Sequence, residues 1–267
     1  MLEQLFLILM RWCGFRHLLW SPSFSTLRKR FSTEHLELGL SKKLQIRREM
    51  ASKGAVKNNL KIIYASDIHL HPVWQNEIVL QLREAVSDAA PDAILLGGDL
   101  ADDRASLSCL RALVSDLTAY APVFAVPGNH DVVLGEHLVR SAVLEGGGVW
   151  LPDGAQELSG ATQTVRLLGT LEQTQADGAL QILCGHDPAL FPEAEAKAID
   201  LVFAGHIHGG QVVLWSWKGR MYPGAFAYAW NRLGFVSERT QLFVSRGIVD
   251  FFPLRWRCPR EVILLEV

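Results

Sequence analysis

The chain has few cysteines, little net charge and no long unbroken apolar run, and each shortage excludes a class of protein. Its four cysteines, Cys13, Cys109, Cys184 and Cys258, lie far apart with no CxxC pair. That excludes a clustered disulfide framework and fits a reducing environment. A formal charge of -2 with 49% hydrophobic residues over 267 positions excludes a disordered polyelectrolyte. It leaves enough apolar material for one large core. There is no internal repeat and no low-complexity tract.

The apolar start, MLEQLFLILMRWCGFRHLLW, is broken by Arg11, Arg16 and His17. It falls short of the roughly 20 apolar residues that a bilayer span takes. Nor does it read as a signal peptide, because Glu3 precedes the apolar stretch and no small-residue cleavage site follows. Leu5, Phe6, Leu9, Trp12 and Trp20 beside Arg11, Arg16, Arg28, Lys29 and Arg30 predict a membrane-surface segment over residues 1–20. The alternative is a docking helix packed on the body. Residues 21–59 are polar and basic, and read as a linker or wrapping arm with one strand in HLELGL.

Residues 1–61 carry 12 Lys/Arg against 4 Asp/Glu, leaving 14 against 24 for the remainder. A basic arm on an acidic body suggests attraction to an anionic surface, the alternative being a solvated tail. Nucleic acid is a poor partner, since the basic excess is confined to the arm. The expected location is peripheral, on the cytoplasmic side of a membrane, or cytoplasmic.

From Leu60 onward, short runs rich in Val, Ile and Leu each end in a polar cluster: LKIIYA, DAILLGG, PVFAVPG, LQILCG, LVFAG, QLFVSRG and EVILLEV. Runs apolar on both faces belong in a covered sheet. Between the first two, Ile78, Val79, Leu82, Ala85, Val86 and Ala89 form a helical stripe that Asn76 is placed to cap. Leu107, Leu110, Leu113, Val114 and Leu117 form another before the third run. The expectation is an α/β fold, a layered β-sandwich of two mixed sheets flanked by helices, over residues 60–267.

Five strands end in chemistry. After the first comes Asp67-Ile68-His69, after the second Gly97-Gly98-Asp99, after the third Gly128-Asn129-His130-Asp131. Later ones end in Gly185-His186 and Gly205-His206-Ile207-His208. Ligands bind at the carboxyl ends of strands in α/β sheets, so these residues should converge. Carboxylate oxygens with imidazoles suit Mn, Fe, Co, Ni or Zn rather than calcium. His137 and His17, alone in apolar surroundings, read as core residues.

This ordered set, DxH, GGDLxD, GNHD, GH and GHIHGGQ, resembles the calcineurin-like metallophosphoesterase family from Leu60 to Val267. The resemblance implies two divalent ions, Mn first, with Fe, Zn or Co as alternatives. It implies that Asp67, His69, Asp99 and His208 hold one, and that Asp99, Asn129, His186 and His206 hold the other. His130 matches the family's non-ligand histidine, which stabilises the transferring phosphoryl group or protonates the leaving oxygen. Asp102 matches the position that orients it, with Asp103 and Asp131 as competitors. His71 lines the pocket or sits in a loop. The reaction implied is hydrolysis of a phosphoric ester or anhydride by a metal-bound hydroxide, with no phosphoenzyme.

Residues 212–259 interleave Trp215, Trp217, Tyr222, Phe226 and Trp230 with Lys218, Arg220, Arg246, Arg255 and Arg257. Such a segment suits a lipid or a base, the alternative being core and rim. Arg246, Arg255 and Arg257 are the candidate substrate contacts. GHIHGGQ, SRG and the closing PLRWRCPREVILLEV resemble the membrane-associated branch of the family, which includes UDP-2,3-diacylglucosamine diphosphatases of lipid A synthesis. That resemblance implies a phosphorylated, lipid-linked small molecule as substrate. The alternatives are another phospholipid, a nucleotide or a phosphoprotein, and, remotely, a non-catalytic scaffold.

Overall fold

Strands apolar on both faces need cover on both sides, and the chain supplies it with helices outside and a second sheet within. The computed structural model describes residues 30–51, 59–250 and 252–267, so the expected membrane-surface segment at residues 1–20 lies outside the described residues. One six-stranded sheet has the order β2 (Gln45–Met50), β16 (Glu261–Glu266), β3 (Lys61–Ala65), β4 (Ala93–Gly97), β5 (Val123–Val126) and β6 (Val149–Trp150). The other six-stranded sheet has the order β13 (Gly234–Val236), β14 (Gln241–Val244), β10 (Leu201–Ala204), β9 (Leu180–Cys184), β8 (Thr164–Leu168) and β7 (Gln156–Ser159). Two further pairs are β1 (Leu36–Leu38) with β15 (Leu254–Trp256), and β11 (Val213–Trp217) with β12 (Arg220–Pro223).

Alternation along β3 sets the layers. Ile62 and Tyr64 face the second sheet, where they meet Ile182 and Phe203 in a core between the sheets. Ile63 and Ala65 face the other way, among residues of α1 (Gln75–Ala89), α2 (Leu107–Thr118) and α3 (Asn129–Glu145). The second sheet's outer face is covered by α4 (Phe191–Ala196) through Phe191 and Ala194. Each fully buried Ile or Leu in these layers contributes roughly 1.5–3 kcal/mol. The result is the expected layering, with parallel β3-α1-β4-α2-β5 units.

Three local expectations need correction. Asn76 does not cap α1, which starts one residue earlier with Trp74 at the cap position. The turn sets that start: Trp74 and Gln75 donate to the His71 carbonyl, while the Trp74 indole donates to the His69 carbonyl at 2.9 Å. His137 is exposed on α3 rather than in the core. The expected arm holds the strand anticipated in HLELGL, β1, which pairs with β15, and a second that was not expected, β2, which joins a six-stranded sheet beside β16. Among the described residues no helix is long and apolar enough to cross a membrane.

Candidate metal centre

The motif residues all sit just past strand ends, where the backbone turns back sharply. Asp67, His69, Asp99, His206 and His208 have φ between 43° and 71°. A non-glycine residue in that region costs about 1–3 kcal/mol, so the surroundings must hold it there. Backbone bonds do so: His69 N donates to the Asp99 carbonyl at 2.8 Å, and Val249 N to that of Asp67 at 2.9 Å. The Asp67 carboxylate also accepts from His206 N at 3.0 Å and from the Ser66 hydroxyl at 2.6 Å. Close approach demands glycine at two places. A Cβ on Gly128 would lie 2.2 Å from Asp99 Oδ1, and one on Gly205 would lie 2.5 Å from Asp67 Oδ2.

Of three groups of side chains that result among the described residues, one is His69, Asp102 and His130, and the other two share no residue with each other. Asp67, His69 and His208 form one, Asp99, His186 and His206 the other, with the donor atoms of each cluster within 4.8 Å of one another. Asp99 Oδ2 stands between them, 3.6 Å from His69 Nε2 and 3.4 Å from His186 Nε2. Asn129 joins the second cluster, its Oδ1 3.1 Å from His186 Nε2.

The imidazoles share one arrangement. His186 Nδ1 donates to the Gly97 carbonyl and His208 Nδ1 to the Val249 carbonyl, each at 2.8 Å. His69 Nδ1 is 2.8 Å from Asp102 Oδ1. With Nδ1 occupied, each ring turns Nε2 toward a carboxylate, the outer-shell pattern of metal-binding histidines. His69 Nε2 is buried with no hydrogen-bond partner among the described residues. Buried polar atoms are rarely left so, and a cation supplies what this one lacks. The donor set of carboxylates, imidazoles and one amide therefore fits divalent first-row ions.

The electrostatics agree. Burial opposes charge on His69, but Asp102, Asp99 and Asp67 outweigh it and hold the ring at about 9. Burial is likewise outweighed at His186 by Asp99 and Asp67, which bring it to about 10. Burial dominates at His208, and although Asp67 favours its charge, His69 and Arg255 press it down to about 3. Burial raises Asp99, yet His186, His69 and His130 together hold its carboxyl well below the usual carboxylate range. Two buried imidazoles, His69 and His186, beside two buried carboxylates, Asp67 and Asp99, make a pocket that favours positive charge.

Asp102 does something separate. Its Oδ1 lies 2.8 Å from the Nδ1 atoms of both His69 and His130, so one carboxylate oxygen orients two rings. The rivals are engaged elsewhere. Asp103 accepts from Ala105 N, and Asp131 accepts from the backbone N–H groups of Gly128, Leu100 and Ala101. Asp131 thereby ties the Asn129-His130 turn to the strand end that carries Asp99.

The candidate substrate contacts are placed less simply. Arg255 is 1% exposed, paired with Asp250 and donating to the carbonyls of Arg246 and Val249, so it faces inward rather than toward a substrate. Arg246 is half-buried and bound to Glu261 through Nε at 2.8 Å and through Nη2. Arg257 is exposed, its backbone N donating to the His35 carbonyl. His71 stacks on Trp74 at 4.4 Å and accepts from Val73 N, which makes it part of the turn before α1. Buried pairing explains both interior arginines, since a charge without a partner costs several kcal/mol there. Tyr228 was not anticipated. It hydrogen-bonds Asp187, next to His186, and its ring is 6.3 Å from that of His206. Only the fold brings it there, since 22 positions and the β11–β12 hairpin separate it from His206.

A sequence model of calcineurin-like phosphoesterases matches residues 60–210, which contain every residue of the two clusters. Phosphodiesterase YaeI of Escherichia coli is 27% identical over 226 residues, covering 78% of this chain and 82% of that one. An uncharacterized metallophosphoesterase of Aquifex aeolicus is 27% identical over 251 residues, covering 84% of this chain and 90% of that one. An uncharacterized metallophosphoesterase of Helicobacter pylori is 27% identical over 228 residues, and this chain spans 60% of its length. The chain belongs to the calcineurin-like phosphoesterase family and is a metal-dependent phosphoester hydrolase.

Proposed function

We propose that the chain hydrolyses a phosphodiester or phosphoric anhydride bond at the Asp99 centre. The observation that carries this reading is the pair of three-residue clusters on either side of Asp99 Oδ2, with the Nε2 atoms of His69 and His186 aimed at it. Asp67, His69, Asp99 and His208 would hold one ion, and Asp99, Asn129, His186 and His206 the other, with Asp99 as the bridge. Two divalent ions so held lower the pKa of water and neutralise charge on a transferring phosphoryl group.

The remaining work falls to the chain's own side chains. Asp102 fixes the His130 ring through Nδ1, which leaves Nε2 to stabilise the phosphoryl oxygens or give a proton to the leaving oxygen. The Asp131 carboxylate, accepting from Gly128 N, keeps that histidine at the strand end. The likeness to a phosphodiesterase supports a diester before a monoester. The test is turnover of bis(p-nitrophenyl) phosphate by the Mn-loaded chain, alone and after His130→Ala. Equal rates for the two would remove His130 from the reaction.

A finer reading is a lipid-linked substrate, UDP-2,3-diacylglucosamine cut to UMP and 2,3-diacylglucosamine 1-phosphate. Exposed aromatic surface near Tyr228, with Phe226 74% exposed, favours it. Phosphorus NMR of products from this substrate, with UDP-N-acetylglucosamine as comparison, decides it. Cleavage of neither, with the synthetic diester still hydrolysed, would discard the lipid substrate and keep the reaction.

A further inference from the structure

The β11–β12 hairpin is a two-stranded ribbon whose exposed residues are largely apolar. Leu214 is 52%, Trp215 46% and Trp217 60% exposed, and they lie on both faces of one strand. Beside the ribbon, on α5 (Gly224–Ala227), Phe226 reaches 74%, and its ring stacks edgewise on Tyr222 at 4.9 Å, which itself stacks on Trp215 at 5.2 Å. Burying the rings of Trp215, Trp217 and Phe226 in the body would stabilise it, and the fold forgoes that. The joined rings of Trp215, Tyr222 and Phe226 make a contiguous apolar patch, which marks an interaction surface.

Charge identifies the occupant. From Leu201 to Ser237 there is no Asp or Glu, whereas Lys218, Arg220 and Arg232 all fall in this stretch. The body as a whole is acidic, so the acid-free stretch stands out against it. Lys218 Nζ lies 4.8 Å over the Trp217 ring, pairing an ammonium with an indole at the ribbon's tip. Tryptophans beside cations are the composition of a surface seated in lipid headgroups: the indoles enter the boundary while the cations stay at the phosphates.

We propose that the β11–β12 hairpin and α5 dock on an anionic lipid bilayer. Tyr228 follows α5 directly and reaches His206, so docking seats the metal centre beside the headgroups. The docking itself does not depend on which ester is cut.

The test is sedimentation of the full chain with phosphatidylcholine vesicles, with and without phosphatidylglycerol. The double variant Leu214→Ser/Trp217→Ser is compared, and amide exchange is followed with vesicles present. Binding to the anionic vesicles that weakens with salt is expected, with a loss of roughly tenfold or more in the variant. Amides 213–228 should be protected, while both proteins hydrolyse a soluble diester equally. Failure of the wild-type chain to bind, equal binding by the variant, or unprotected hairpin amides would each overturn the proposal. So would loss of a dimer, rather than of vesicle binding, on substitution.

Discussion

Replacing Asp102 with Ala should cripple two properties at once, because its Oδ1 sits 2.8 Å from both His69 Nδ1 and His130 Nδ1. A hydrogen bond to a charged group contributes about 1.5–3 kcal/mol, equivalent to roughly 10- to 150-fold at each ring. At His69 the loss appears as weaker metal binding, in line with the 10- to 100-fold effects of outer-shell changes on metal sites. At His130 it appears as slower turnover that saturating metal does not restore. His130→Ala should keep metal and lose about 10²–10⁴ in turnover. The assay is calorimetric metal titration beside rates on bis(p-nitrophenyl) phosphate at saturating Mn. Since Asp102 acts on turnover through His130, the double variant should be no slower than His130→Ala alone. Multiplicative rate losses, or wild-type metal affinity in Asp102→Ala, would refute the reasoning.

In the metal-free chain His69 at about 9 and His186 at about 10 carry protons that metal must displace. Metal affinity should therefore rise from pH 6 to 9, with proton release on binding measurable in lightly buffered solution. The same raised values stabilise the metal-free fold below pH 6.5, and that contribution is lost as pH climbs through 9, so its melting temperature should fall across that window. Gly128→Ala places a Cβ 2.2 Å from Asp99 Oδ1 and 2.3 Å from Asp99 N. Overpacking of this kind costs about 1–3 kcal/mol, or roughly 2 to 12 °C, and metal binding should fail with it. Glu37→Ala leaves Arg260, wholly buried and 2.9 Å from Glu37, without its partner. A loss of about 3–5 kcal/mol is expected by denaturant titration, and an unchanged midpoint would show the pair is dispensable.

The strands that carry the centre were legible because they are buried on both faces, so KIIYA and AILLG read as unbroken apolar runs. The motif residues were legible because turning backbone and ligand chemistry coincide in Gly98-Asp99 and Gly205-His206. β2 escaped notice: it is an edge strand, and QIRREM keeps polar groups outward on a half-exposed ribbon. α3 was hidden by Gly135, whose φ of 120° interrupts the helix and its periodicity. Arg255 misled because a local reading sees an exposed cation beside aromatics, whereas it is buried against Asp250. Asp250 lies five positions before Arg255, and what the sequence does not show is that both are buried. The start of α1 likewise depends on an indole reaching the His69 carbonyl, a tertiary contact with no local signature.

The pairing of β2 with β16, and of β1 with β15, joins some of the earliest described residues to some of the last. During synthesis β2 waits for nearly the whole chain before its partner leaves the ribosome. The Val249 carbonyl that orients His208, and the Arg255 guanidinium that grips the same carbonyl, also arrive late. His208 is thus made before the carbonyl that orients it. A nascent chain halted before Leu254 should expose the β2 edge, hold metal poorly at His208 and be an early target for proteases, whereas the finished chain covers that edge with β16.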